Sequence, residues 1–166
     1  MTGHPHHHET HAPFTLALVT VSDTRDHTND TSGAALQSLL QAAGYDAPAP
    51  VIVKDDVEAI RGAVLLAVEG GARVVVLQGG TGVSPRDNTP EAVRPLLDKE
   101  LPGFGELFRA LSFQEVGPAA FLSRALAGTR GRCFIACLPG STAAVRLATE
   151  RLLVPQLKHV VGMLGA

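Results

Sequence analysis

Apolar residues in this chain fall alternately into short unbroken runs and helical stripes. Phe14–Val21 is an apolar run of strand length, and Thr31–Ala43 repeats Ala35, Leu36, Leu39, Leu40 and Ala43 at helical spacing, with Gly44 at its stop. Ala47–Val53 reads as the next strand and Val57–Glu69 as the next helix, closed by Gly70-Gly71. Val74–Gln78 is a third buried strand, and a helix starts near Thr89, where Thr89-Pro90-Glu91 supplies a capping hydroxyl, a first-turn proline and a first-turn acid. Strands alternating with helices predict an α/β fold: a parallel sheet covered on both faces, with right-handed crossovers.

The second half is less regular. Gly103–Ser112 predicts a helix. Leu122–Ala127 and Arg132–Leu138 flank Gly128-Thr129-Arg130-Gly131, a hairpin pattern that adds antiparallel pairing. A last helical stretch runs from near Thr142 to Leu164, broken or kinked at Pro155. No repeat or linker divides the chain. Met1–Pro13 is polar and carries His4, His6, His7, His8 and His11, which predicts a disordered tail ahead of a single domain, residues 14–166. Such a tract binds divalent transition metals weakly, but a solvated tail is the preferred reading.

Composition narrows the partners. The chain has 166 residues, 45% of them hydrophobic, enough for one sizeable core, which must be built from Leu, Val and Ala because tryptophan is absent. A formal net charge of −2, with no basic patch, argues against nucleic-acid binding. No apolar run is long enough to span a bilayer and no signal-peptide h-region is present, so the expected location is the cytoplasm, without membrane contact. Cys133 and Cys137 are four apart in a strand pattern, face the same side, and read as small core hydrophobes rather than a disulfide or metal pair.

The chemistry gathers where strands end. In open α/β sheets, ligands bind beyond the carboxyl ends of the strands. Those ends export Ser22-Asp23-Thr24-Arg25, Lys54-Asp55-Asp56, the glycine loop Gly79-Gly80-Thr81-Gly82 with Arg86 and Asp87, and Pro139-Gly140-Ser141-Thr142. Strand, glycine loop and capped helix together make a cradle of backbone N–H groups suited to phosphate. The loop lacks the Gly-Lys-Ser/Thr of a Walker A motif, and Pro85 breaks Gly-x-Gly-x-x-Gly. Asp23, Asp55 and Asp87 are hard oxygen donors that fit magnesium with phosphates completing its shell. Asp26 and Asp56 read as ordinary loop or cap carboxylates, and His159 as a helix-end histidine rather than a base. Lys54 and Arg86 are open between binding anionic oxygens and lying as solvated charges.

Six ordered motifs carry a resemblance. They are Val19-Thr20-Val21-Ser22-Asp23-Thr24-Arg25, Gly79-Gly80-Thr81-Gly82, Arg86-Asp87-Asn88-Thr89-Pro90-Glu91-Ala92, Pro102-Gly103-Phe104-Gly105-Glu106, Ser123-Arg124 and Leu138-Pro139-Gly140-Ser141. Over about residues 14–164 the chain resembles the MoaB/MogA family of molybdenum cofactor biosynthesis, related to the G domains of gephyrin and plant Cnx proteins, with the MoaB branch most similar. The resemblance implies a three-layer α/β/α domain that assembles as a homotrimer or homohexamer. It implies molybdopterin and ATP as substrates, Mg²⁺ as cofactor, adenylylation of the pterin's terminal phosphate, and a downstream metal-insertion enzyme as partner. By likeness, Asp55 and Asp87 are catalytic and hold the metal, and Gly79, Gly80, Thr81 and Gly82 cradle phosphates. Ser22, Asp23, Gly140 and Ser141 line the same pocket, with Arg86 beside it. MogA-type members place Thr-Thr before the glycine turn, where this chain has Leu77-Gln78. Two functions stay open: a molybdopterin adenylyltransferase, and a non-catalytic molybdopterin carrier or scaffold of the same pathway.

Overall fold

Two apolar faces on one set of strands decide the architecture. A computed structural model describes residues 10–165. Its strands are β1 (Leu16–Val21), β2 (Val51–Val53), β3 (Val74–Gln78), β4 (Lys99–Glu100), β5 (Leu126–Arg130) and β6 (Cys133–Leu138). Its helices are α1 (Thr31–Ala42), α2 (Val57–Glu69), α3 (Thr89–Val93), α4 (Pro102–Val116), α5 (Thr142–Ala148) and α6 (Val154–Met163). The strands form one sheet in the order β2-β1-β3-β6-β5-β4. The β2, β1, β3 and β6 neighbours run parallel, and β5 and β4 add two antiparallel pairings.

Successive strand residues point to opposite faces. Leu16 and Leu18, Val74 and Val76, and Ala136 and Leu138 therefore pack with Leu36, Leu40, Phe108, Val145 and Leu157 of α1, α4, α5 and α6. Their neighbours Val19, Val21, Val75, Leu77, Ile135 and Cys137 pack with Ile60, Val64, Ala92 and Val93 of α2 and α3. The result is the expected three-layer α/β/α domain. Cys133 and Cys137 are free thiols in the second of these cores, pushed up by burial to about 11 and about 12, so both behave as small hydrophobes.

Four expectations need adjusting. β2 starts at Val51 rather than Ala47, because Pro48 and Pro50 have no amide to give a ladder. The hairpin turn sits at Gly131-Arg132, and Gly128 to Arg130 belong to β5. Gly128 is needed there for close approach, since a Cβ on it would lie 2.4 Å from the Lys99 carbonyl oxygen of β4. α4 is longer than expected, and a 3₁₀ segment, Gly117–Leu122, follows it. The C-terminal helix is interrupted by a π-type turn, Thr149–Leu153, one turn ahead of Pro155, whose missing N–H frees a carbonyl upstream.

His4, His6, His7 and His8 of the expected tail lie outside the described residues. The part that is described differs from a free tail: Thr10 is buried and its amide donates to the Lys158 carbonyl at 3.1 Å, docking the chain on α6 ahead of Phe14. Among the described residues no helix is long and apolar enough to cross a membrane.

Beneath the carboxyl edge of the sheet lies a buried polar network. Asp30 caps α1 by accepting from the Gly33 amide at 3.0 Å, and also accepts from Thr20 Oγ1 at 2.5 Å and Gln78 Nε2 at 3.3 Å. Gln78 Nε2 donates in addition to Thr20 Oγ1 at 2.8 Å. Asp30→Ala removes a helix cap and strands two buried polar groups, so it should cost about 2–4 kcal/mol in urea unfolding; a loss below about 0.5 kcal/mol would contradict this role.

Candidate functional site

Parallel alignment of β1, β2, β3 and β6 brings their carboxyl ends to one edge. The chain leaves β1 for one side of the sheet and β3 for the other, which opens a crevice at that switch point. A cleft of about 570 Å³ lies there, within the size range of small-molecule sites. Ser22, Asp23, Asp55, Gly79, Gly80, Thr81, Gly82, Asp87 and Gly140 line it, so nine of the eleven residues expected from sequence converge. Arg86 stands at the mouth, three-quarters exposed and paired with Asp23. Ser141 lies outside the lining: its Oγ caps α5 by accepting from the Ala144 amide at 3.2 Å.

The glycine loop is shaped by contact. Gly79 takes φ +102° and donates to the Leu138 carbonyl at 2.9 Å. A Cβ on it would sit 2.3 Å from the Val21 carbonyl oxygen, so only glycine fits between β1 and β6. Thr89 closes the loop from α3, its amide donating to the Gly80 carbonyl at 3.0 Å and its hydroxyl to the Gly79 carbonyl at 2.8 Å. Among the described residues nothing accepts a hydrogen bond from the amides of Gly80, Thr81 or Gly82. Three successive donors thus sit on the cleft wall without protein acceptors, as an anion cradle requires.

Carboxylates face this wall. Asp55 Oδ1 accepts from the Asn88 amide at 3.0 Å, and its Oδ2 lies 2.8 Å from where a Gly80 Cβ would be. Burial pushes its pKa above the ordinary value; the Asn88 amide opposes that, and the charges of Asp87 and Asp23 add to it. Asp87 Oδ2 accepts from the Ser84 amide at 2.9 Å and lies 2.7 Å from a Cβ position on Gly82. Asp23 Oδ1 accepts from the Asp55 amide at 3.1 Å, while its Oδ2 takes Arg86 Nε at 3.0 Å and Arg86 Nη2. Arg86, then the Asp55 amide, hold the Asp23 carboxyl below its usual range.

Other expectations resolve locally. Lys54 Nζ donates to the Asp23 carbonyl at 3.2 Å, so it braces the loop after β1. Asp56 caps α2, and Asp26 closes a turn onto Thr28, as read from sequence. His159 lies beside an apolar groove between α4 and α6, away from the cleft. Gln78 is buried and donates to Thr20 and Asp30, so it belongs to the polar network beneath the edge.

Sequence reasoning assigned no role to Ser123, which lines the cleft, or to Arg124. The Arg124 side chain donates to the Gly82 and Asp87 carbonyls at 2.8 and 3.0 Å and pairs with Glu91, whose carboxyl it holds below the usual range. The signal was present in the Ser123-Arg124 motif, but nothing local in that dipeptide shows what it reaches.

Oxygen donors suit a hard divalent cation. Among the described residues no three His, Cys, Asp or Glu side chains come together to hold an ion. Asp55 and Asp87 repel one another electrostatically, which an intervening cation would relieve, and a magnesium ion needs only one or two carboxylates when phosphates supply the rest.

Unpartnered amides at a switch point are the donors that phosphate groups use in other α/β domains. Residues 17–159 match the family described as a probable molybdopterin binding domain. Molybdenum cofactor biosynthesis protein B of Halalkalibacterium halodurans is 48% identical over 159 residues, 93% of each chain. A crystal structure of a molybdenum cofactor biosynthesis protein B superposes with a TM-score of 0.89 at 46% identity, over 94% of this chain and 98% of that one. The tungsten cofactor synthesizing protein MoaB from Pyrococcus furiosus gives 0.83 at 37% identity, over 93% and 98%. The chain belongs to the MoaB/MogA family of molybdenum cofactor biosynthesis proteins.

Two glycines of the loop separate fold from chemistry. Gly79→Ala meets a backbone oxygen at positive φ and should cost about 2–4 kcal/mol in denaturant unfolding. Gly82→Ala meets only the Asp87 carboxylate, a side-chain end able to swing away, and should cost less than about 1 kcal/mol. Equal costs would contradict this account of the loop.

Proposed function

We propose that this cleft binds molybdopterin and, with Mg-ATP, transfers the adenylyl group to its terminal phosphate, releasing pyrophosphate. The observation that carries the reading is the run of unpartnered amides at Gly80, Thr81 and Gly82, with Asp55 and Asp87 beside them on the cleft lining. Family membership supplies the pterin.

Adenylyl transfer forms a bond from a pterin phosphate oxygen to the α-phosphorus and breaks the bond from that phosphorus to pyrophosphate. Negative charge spreads over the transferring group, so the protein acts by positioning and by offering donors to the developing charge. The amides of Gly80, Thr81 and Gly82 hold phosphate oxygens from one side. Asp55 and Asp87 would hold Mg²⁺ beside them, and the ion would supply neutralisation of the phosphate charge. Asn88 keeps Asp55 oriented through its amide, and Ser84 does the same for Asp87. Arg86, exposed at the mouth beside Asp23, has a planar fork matched to an incoming phosphate. Exposed Leu107, Phe113, Val116, Phe121 and Leu122 on α4 and the turn after it support a homo-oligomer, trimeric or hexameric.

The test is incubation of the protein with molybdopterin, ATP and Mg²⁺, reading adenylylated pterin and pyrophosphate. Their formation in equal amounts is expected. Pterin binding without turnover would replace the enzyme by a carrier.

Asp55→Asn should lower kcat by about a hundredfold or more, because a neutral amide cannot hold the cation. Its effect on stability has the opposite sign. Folding raises the Asp55 pKa above 3.8, so the stability linked to this group is full below that value and is lost as pH rises through the folded pKa. Asn keeps the acceptor for the Asn88 amide and carries no charge, so at neutral pH the variant should melt no lower than wild type. Wild-type kcat/KM should fall on the acid side with a midpoint above 3.8. An inactive variant that melts lower, or an acid limb at or below 3.8, would contradict the assignment.

A further inference from the structure

We propose that Arg124 is the positioning residue of the anion site: it holds the far side of the glycine loop from behind, by its carbonyls, and so aims the Gly82 amide of the cradle into the cleft and the Asn88 amide at Asp55. The proposal deepens the phosphate-binding reading above and rests on it.

Arg124 follows the 3₁₀ segment Gly117–Leu122 and precedes β5, far along the chain from the loop it touches. Its backbone amide donates to the Thr81 carbonyl at 2.8 Å. Its Nε donates to the Gly82 carbonyl at 2.8 Å and its Nη2 to the Asp87 carbonyl at 3.0 Å. Nη1 and Nη2 grip the two Glu91 oxygens on α3, which fixes the plane of the guanidinium. One residue thereby holds three carbonyls at both ends of the loop.

The consequence follows from peptide geometry. Every peptide in the described chain is trans, so each carbonyl points opposite to the next residue's N–H. Holding the Thr81 and Gly82 carbonyls turns the Gly82 and Val83 amides away from Arg124. Holding the Asp87 carbonyl turns the Asn88 amide the other way, and that amide is the one that meets Asp55 Oδ1 at 3.0 Å. Arg124 therefore sets both sides of the site through the backbone. The Arg124–Glu91 pair is one-third to one-half exposed, so water screens it and its contribution to stability is small. A lysine cannot replace the arginine here: a single ammonium lacks the rigid fork that reaches two carbonyls and a carboxylate together.

The test uses the full chain with Arg124→Ala, Arg124→Lys and Glu91→Gln, with inorganic pyrophosphate and Mg²⁺ as the calorimetric probe. Both Arg124 variants should bind pyrophosphate about tenfold more weakly while melting within a few degrees of wild type, and Glu91→Gln should lose about threefold. Amide hydrogen exchange at Asp87, Asn88 and Thr89 should quicken in both Arg124 variants, with β3 unchanged. Wild-type affinity and exchange in Arg124→Lys would overturn the proposal, as would a melting loss with unaltered affinity, the mark of a merely structural contact. If Arg124→Ala fails to fold, the lysine and Glu91 variants decide. Exchange needs no ligand, so it judges the clamp even if wild type transfers no adenylyl group, a failure that would sink only the enzymatic reading.

Discussion

Gly79 lies so close to the Val21 carbonyl that a single methyl group would collide with it, and the rest of the site depends on that contact. Because β3 can end directly against β1 and β6, the chain turns across the carboxyl edge instead of continuing outward. The turn leaves the next three amides without protein acceptors and places their backbone where Asp55 and Asp87 can face it. A bulkier first residue would move the loop away from the sheet and separate the donors from the carboxylates. The amide cradle is thus a product of strand spacing, not of the loop's sequence alone.

What the loop gains in donors, it loses in rigidity, and surrounding groups restore it. Thr89 ties the near end to α3, Ser84 binds Asp87 within the loop, and Arg124 holds the carbonyl side. The electrostatics carry a complementary tension. Asp55 is half-buried near two other carboxylates, an arrangement that costs stability in the absence of a cation and is typical of functional positions. Asp23 escapes that cost by pairing with Arg86, which leaves Asp55 and Asp87 as the carboxylates available to a ligand.

Much of this was legible in the residues. Hydrophobic periodicity located β1, β3, α1 and α2 within a residue or two, since their stripes are long and their stops are glycines. Nine cleft residues could be named because the strand-end rule needs only the order of elements. The misplaced hairpin turn shows where such reading stops. Gly128 looks like a turn glycine, yet its reason is the close approach of β4, a two-residue strand with no periodicity to detect. Ser141 was expected in the pocket by likeness to the family, but its hydroxyl serves as an N-cap. Arg124 has no legible role in the sequence because its partners lie 33 to 43 positions away, and only the tertiary fold shows that it grips Gly82, Asp87, Glu91 and Thr81.

The most direct measurement follows the backbone ¹⁵N–¹H signals of the whole protein while inorganic pyrophosphate and Mg²⁺ are added. The account predicts that Gly80, Thr81 and Gly82 move first and furthest, with the signals of Asp55 and Asp87 following, as bare donors acquire an acceptor. Unmoved loop amides under an anion that binds elsewhere on the molecule would contradict it.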